Sequence, residues 1–184
     1  MDFKKILVNC LSSFLIIINR FVGLIFNPYK TMRKISVEKD YYQPVFIIGI
    51  IFIYFKFIYY LRDKIYPATL IYFLFIINVL LTAIFFYLLS KLFSKNKKEI
   101  SFSSFIFTFS YSLLPTLIWF LSTSVLFIFL PPPRTFSILG KGFSIFFVAY
   151  SLSLLIWKLI LGYLAIRFSS KQNFFKILTM AIYY

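Results

Sequence analysis

Three polar side chains lie within long apolar stretches and are the best placed in the chain to do chemistry. Asn78 presents an amide, Tyr111 a phenol and Lys158 a cation. An amide at such depth commonly bonds a neighbouring helix, and a lysine commonly extends its apolar stem toward the interface. The alternative is a site in which a buried Lys158 pairs with an anionic solute on a path that also passes Asn78. We therefore treat all three as candidate intramembrane polar contacts.

The inventory of reactive residues argues against catalysis. The chain has no His, and its one cysteine, Cys10, permits neither an internal disulfide nor a thiol metal cluster. All the acidic residues lie outside the apolar stretches; they are Asp2, Glu38, Asp40, Asp63 and Glu99. Serine and tyrosine nucleophiles therefore lack a base, a metal lacks its usual ligands, and ion coupling lacks an intramembrane carboxylate. We expect a non-enzymatic protein that uses no cofactor.

The composition predicts a membrane protein. Of 184 residues, 61% are hydrophobic and 23% aromatic, whereas soluble domains are nearer 45–50% apolar. The net charge of +15 comes from basic residues at the ends of apolar runs, where they suit anionic lipid headgroups better than nucleic acid. We expect an all-α, polytopic transmembrane helical bundle and no nucleic-acid partner.

Four apolar runs are long enough to cross a bilayer, which takes about 20 helical residues. They predict spans at 44–61, 68–93, 103–130 and 143–167, and the run 174–184 is a partial fifth. The chain then divides into an amino-terminal segment, 1–43, and a transmembrane domain, 44–184.

The first apolar run indicates an amphipathic helix. Its large apolar residues recur at spacings of four and three; they are Leu7, Leu11, Phe14, Ile18, Phe21 and Ile25. Arg20 interrupts the run and no small-residue cleavage site follows it, so we expect no cleaved signal peptide. This pattern favours an interfacial amphipathic helix in the headgroup plane, and a tilted spanning helix is the alternative.

A basic segment follows, between residues 29 and 42. Its cations are Lys30, Arg33, Lys34 and Lys39. The segment is either a solvated loop with a short helix or a docking patch for anionic lipid or an acidic partner.

Pro115 falls near the middle of the third span. Because proline has no backbone N–H, we expect it to kink this helix. Nearby hydroxyl groups can satisfy the carbonyl groups that a kink frees; these belong to Thr108, Ser110, Ser112 and Thr116.

The distribution of lysine and arginine predicts the orientation. Seven precede the first span, four follow the second and three follow the fourth, whereas the opposite side has four. The positive-inside rule then places the amino terminus in the cytoplasm. If the protein is prokaryotic, the membrane would be the plasma (inner) membrane.

Several short elements occur in the order and spacing of a known family. They are Pro28, Thr31 and Ile35 in PYKTMRKI, Tyr111 and Pro115 in YSLLP, Trp157, Leu161 and Ala165 in the fourth span, and the turn SSKQNFFKIL. In these the chain resembles the Yip1 domain family of small multi-span proteins. The resemblance implies a five-span membrane domain. Eukaryotic members bind Rab GTPases in vesicle traffic and have a long polar amino-terminal region with a DLYGP-type motif. This chain has neither feature and is more similar to the short prokaryotic branch, whose function is largely unassigned.

Two functional hypotheses follow. The first is a non-enzymatic Yip1-type scaffold that organises the membrane or a partner complex, with anionic lipids and a protein partner or second copy as its contacts. The alternative is a small transporter or channel subunit with a Pro-kinked third helix.

Overall fold

The computed structural model describes residues 3–38, 40–61, 68–94, 100–129 and 136–184. Its described elements are all helices: α1 Phe3–Phe26, α2 Pro28–Ile35, α3 Tyr42–Leu61, α4 Ala68–Phe93, α5 Phe102–Ser112, α6 Leu114–Phe129, α7 Phe136–Ser170 and α8 Phe174–Ile182. The all-α prediction is confirmed for this part of the chain. Lys39 and the triple-proline loop lie outside the described residues.

Four stretches are long and apolar enough to cross a membrane: Val8–Phe26, Thr69–Phe93, Phe102–Leu126 and Gly142–Ser170. The last three coincide with predicted spans. The predicted span 44–61 corresponds to α3, an apolar helix of 20 residues that is about 30 Å long. Its apolar stretch Tyr42–Phe57 is shorter than the four candidate spans. The protein is therefore a multi-pass membrane protein, and α1 also has the length and composition of a span.

The junction of α1 and α2 follows directly from the sequence. Pro28 is at the start of α2. A backbone N–H at that position has no partner within the helix, so the helix loses no hydrogen bond to proline. Gly23 permits a close approach of the two helices, because a Cβ atom there would lie 2.7 Å from Oγ1 of Thr31. The buried face of α2, Thr31, Met32 and Ile35, then packs on α1.

The third span is interrupted at a single residue, Leu113, which keeps a right-handed helical backbone (φ −76°, ψ −6°) and whose carbonyl accepts from the Leu117 N–H at 2.9 Å. Its helix ends at Ser112 and begins again at Leu114, so Pro115 lies in the first turn of α6, where a proline is tolerated. At this point the Leu113 N–H donates to the Ser110 carbonyl at 3.3 Å. The hydroxyl groups of Ser110 and Ser112 donate to carbonyl groups of their own helix, both at 2.7 Å. The hydroxyl of Thr116 is buried and has no hydrogen-bond partner in the described structure, so its predicted part in this compensation is not observed.

The third span, made of α5 and α6, forms the centre of the bundle. In the apolar stretch of α5 and α6, 67% of the residues are buried, whereas the share of buried residues is 11% in the stretch of α4 and 6% in that of α7. Phe105, Phe107 and Tyr111 of α5 are completely buried. Serine and threonine hydroxyls also join α5 to the end of α7, where Thr108 and Ser169 are 2.7 Å apart. The more exposed helices therefore surround α5.

Helix α8 runs antiparallel along the second half of α4. The ammonium group of Lys176 donates to the Phe93 carbonyl at 2.9 Å, Ser90 donates to the sulfur of Met180 at 3.6 Å, and the hydroxyls of Thr82 and Tyr184 are 2.8 Å apart. Its nine residues extend about 14 Å. This helix therefore covers only about half of a hydrocarbon core that is about 30 Å thick.

Candidate functional site

A cavity of about 570 Å³ lies between α4, α5, α7 and α8. Its polar lining comes from Asn78 and Thr82 of α4, Ser112 of α5, Lys158 and Tyr163 of α7, and Tyr184. Apolar side chains form the rest of the wall; among them are Phe75, Phe86, Phe109, Leu155, Leu159 and Ile177. The structure thus brings together Asn78 and Lys158, which are 80 positions apart in the sequence.

Neither side chain is engaged by the described structure. The Asn78 amide makes no hydrogen bond to a described residue, and the Lys158 ammonium group makes neither a hydrogen bond nor an ion pair with one. The interhelical hydrogen bond that an amide at this depth commonly makes is therefore not observed for Asn78 among the described residues. Both side chains line the cavity and are exposed; the amide carries two donor hydrogens and the cation three.

A second cavity, of about 370 Å³, lies between α6 and α7. Pro115, Thr116, Trp119 and Ser151 contribute to its wall. Lys158 and Leu155 line this cavity as well as the larger one. The interruption of the third span thus has a cavity on each side, and Lys158 lies where the two adjoin.

The larger cavity opens sideways between α7 and α8. Several of its lining residues are also exposed on the outer surface of the helices: Leu159 is 66% exposed, Phe174 55% and Leu178 48%. A bilayer around α7, which has the length and composition of a membrane span, would place this surface against lipid.

Tyr111 belongs to a different polar cluster, at the end of the bundle where α3 begins. Its hydroxyl donates to Oε1 of Gln43 at 2.6 Å, and both side chains are fully buried. Nε2 of Gln43 donates to Oδ2 of Asp40 at 3.3 Å. The same carboxylate oxygen accepts a hydrogen bond from the Ser13 hydroxyl at 2.5 Å. This cluster joins α1, α3 and α5, so its evident role is to hold the amino-terminal helix on the bundle.

Sequence reasoning did not find this cluster. In the sequence Gln43 only borders the first predicted span, and Asp40 lies in a polar segment. The one usable signal is Asp40, two residues before the start of α3, since carboxylates at such positions commonly bind backbone N–H groups. Asp40 does so, accepting from the Tyr42 N–H at 3.1 Å.

Basic residues converge on this same end of the bundle. The ring of Tyr29, at the start of α2, packs 4.9 Å from that of Phe168 near the end of α7, and Lys176 contacts the end of α4. The described cations at this end include Lys30, Arg33, Lys34, Lys91, Arg167, Lys171 and Lys176. The side chains of Lys30, Arg33 and Lys34 are exposed on α2.

A small pocket of about 230 Å³ lies between α1 and α2 within this basic end. Three cations line it, Arg20, Lys30 and Lys34, together with Asn19 and Asn27. Arg20 forms an ion pair with Glu38 at 3.4 Å through Nη2. Its Nε atom is buried without a hydrogen-bond partner among the described residues. The pocket therefore offers positive charge to an anion.

Comparison of the chain with protein-family models, curated proteins and solved structures finds no match. The resemblance to the Yip1 family stays a hypothesis from the sequence. Among the described residues, no three metal-binding side chains lie close enough together to hold an ion.

Proposed function

We propose that the protein is a non-enzymatic, multi-pass scaffold of the Yip1 type that contacts anionic lipid headgroups through its basic end. The observation that carries this proposal is the pocket between α1 and α2, which Arg20, Lys30 and Lys34 line. Clusters of cations beside a membrane span typically bind anionic lipid, at about 1 kcal/mol for each cation. The amino terminus is then cytoplasmic, as the positive-inside rule predicts.

In this account α1 lies in the headgroup plane across the end of the bundle. Its contacts support that placement. Ser13 bonds Asp40, Phe14 packs on Phe46 near the start of α3, and Arg20 pairs with Glu38. All these partners lie in the α2–α3 connection or the first turns of α3, whereas a spanning helix beside α3 would contact it along its length.

Lipid retention tests the proposal. In the full-length protein, Lys30, Arg33 and Lys34 are each changed to Gln, and native mass spectrometry measures the retention of phosphatidylglycerol and phosphatidylcholine. Losing three cations removes up to about 3 kcal/mol, which is about a hundredfold in affinity for the anionic lipid. Phosphatidylcholine retention and membrane insertion stay unchanged.

A control variant carries the same loss of charge elsewhere on the basic end. It changes Arg167, Lys171 and Lys176 to Gln, none of which lines the pocket between α1 and α2. We expect a smaller loss of phosphatidylglycerol from the control. Equal losses would show that only the total charge matters, and an unchanged affinity in the first variant would refute the proposal. A stoichiometric protein partner or a second copy in the same spectra would instead identify a protein-binding scaffold.

A second candidate function is passage of a solute, and one observation favours it. The two cavities adjoin at Lys158, beside the interruption between α5 and α6. In this function Lys158 would select for an anion.

A further inference from the structure

The larger cavity combines a mostly apolar wall with one uncompensated cation. Its volume of about 570 Å³ falls within the range of about 300–1,000 Å³ that is typical of small-molecule sites. Such sites are mainly apolar, with a few polar groups that orient the ligand. Here Phe75, Phe86 and Phe109 supply apolar wall, and Asn78 and Lys158 supply polar groups.

Lys158 is placed where an isolated charge is unfavourable. It lies in the candidate span Gly142–Ser170, twelve residues before the end of α7, which corresponds to about 18 Å along the axis. The described acidic side chains, Glu38 and Asp40, lie in the connection between α2 and α3. Charged groups within a membrane generally pair with another group, and no described residue pairs with this one.

We propose that this cavity binds an anionic amphiphile, an acyl chain that carries a carboxylate or a phosphate. Lys158 pairs with the anionic group, and the Asn78 amide donates a second hydrogen bond to it. The apolar wall holds the chain. This site is separate from the pocket between α1 and α2, and the inference goes beyond the contact with headgroups proposed above.

The side opening decides between an amphiphile and a water-soluble anion. Leu159, Phe174 and Leu178 line the cavity and are also exposed on its outer side, which faces lipid around a spanning α7. A ligand that enters here comes from the hydrocarbon layer and brings apolar surface with it. Burying that surface stabilises the complex, whereas a small hydrophilic anion would have to cross lipid to arrive.

The remaining polar side chains of the cavity wall already make hydrogen bonds, and the Tyr163 hydroxyl accepts one from Nη1 of Arg167 at 3.1 Å. The Ser112 hydroxyl donates to the Phe109 carbonyl at 2.7 Å, and the hydroxyls of Thr82 and Tyr184 bond each other at 2.8 Å. Lys158 and Asn78 supply N–H donors that no described residue engages, and the hydroxyl hydrogen of Tyr163 lies on the same wall. Charge-assisted hydrogen bonds are roughly twice as strong as neutral ones, so Lys158 should contribute most to the recognition of the anion.

The test compares oleate with oleyl alcohol, which has the same chain and no charge. Native mass spectrometry of the full-length protein in mild detergent measures the binding of each, and oleoyl lysophosphatidic acid distinguishes a phosphate from a carboxylate. We expect oleate or the phosphate to bind at least about tenfold more tightly than the alcohol, which corresponds to about 1.4 kcal/mol. Lys158→Met should remove this preference and Lys158→Arg should keep it. The same change at Lys56, which lies in α3 outside the cavity and bonds Thr69 at 3.0 Å, should leave binding unaltered.

Filling the cavity provides a test that leaves its charge in place. Gly162 lines the cavity, and a Cβ atom there would meet nothing within 4 Å. Gly162→Phe should therefore exclude the ligand. Gly49→Phe, at a position in α3 that is equally open and outside the cavity, should not. Equal binding of the alcohol and the two anions, or full binding by both Lys158→Met and Gly162→Phe, would overturn the proposal.

Discussion

The hydrogen bond between Tyr111 and Gln43 gives the sharpest prediction about stability. Tyr111→Phe removes one hydroxyl and keeps the ring, which packs edge-on against Phe21 at 5.6 Å. The 2.6 Å bond to Oε1 of Gln43 is lost. Because Gln43 is fully buried, no bulk water replaces the missing donor.

Two terms set the magnitude. The net value of a hydrogen bond is about 1 kcal/mol, and a buried acceptor left unsatisfied costs about 1–3 kcal/mol. Measured hydrogen bonds within membrane bundles average about 0.6 kcal/mol and reach about 1.7. We therefore expect Tyr111→Phe to lower the free energy of unfolding by about 1–2 kcal/mol.

Tyr41→Phe is the matched control. It removes a tyrosine hydroxyl that lies 2.7 Å from the Ser103 hydroxyl, but Tyr41 is 58% exposed, so water replaces the lost partner. We expect a change below about 0.5 kcal/mol. Denaturant titration of the two purified variants in the same detergent measures both values.

A double variant separates the bond from general packing. Replacing both partners by apolar groups can be nearly neutral, so adding Gln43→Leu to Tyr111→Phe should cost less than the sum of the single changes. Equal effects of Tyr111→Phe and Tyr41→Phe, or strict additivity in the double variant, would refute the reasoning that the buried amide requires this hydroxyl.

Two further predictions concern other parts of the molecule. Gly23→Ala should destabilise the protein by about 1–2 kcal/mol, because its new Cβ atom would lie 2.7 Å from Oγ1 of Thr31. Gly49→Ala is the control: its Cβ atom would enter open space, so the change should be neutral or stabilise the protein by up to about 1 kcal/mol. Thermal unfolding of the two variants measures both effects. If the two cavities form a path for anions, liposomes with the protein should show an anion flux that Lys158→Met abolishes; equal flux in the variant would remove Lys158 from that path.

The span positions were predictable because they depend on composition over about 20 residues. The positions of α4 and α7 and the interruption of the third span at Pro115 all follow from local sequence. The interruption itself lies two residues before the proline, at Leu113, because proline is tolerated in the first turn of a helix.

The neighbours of each polar side chain were not predictable in this way. Pairing of Tyr111 with Gln43 depends on α3 and α5 lying side by side, and the sequence contains no periodic signal for that choice. Lys158 and Asn78 line one cavity because α4, α5, α7 and α8 meet around it, and that arrangement again depends on packing. Sequence reasoning could name these residues from their rarity in apolar runs, but it could not assign Tyr111 to a different cluster.

The most direct test of the account is the sidedness of three cysteines, read with a membrane-impermeant thiol reagent on sealed vesicles of each orientation. The native Cys10 in α1 is one; the others are Lys34→Cys in α2 and Thr69→Cys at the start of α4, each combined with Cys10→Ser. If α1 lies in the headgroup plane at the basic, cytoplasmic end, the reagent labels positions 10 and 34 from the cytoplasmic side and position 69 from the opposite side. Labelling of positions 10 and 34 from opposite sides would show that α1 spans the membrane, and labelling of positions 34 and 69 from the same side would contradict the bundle topology.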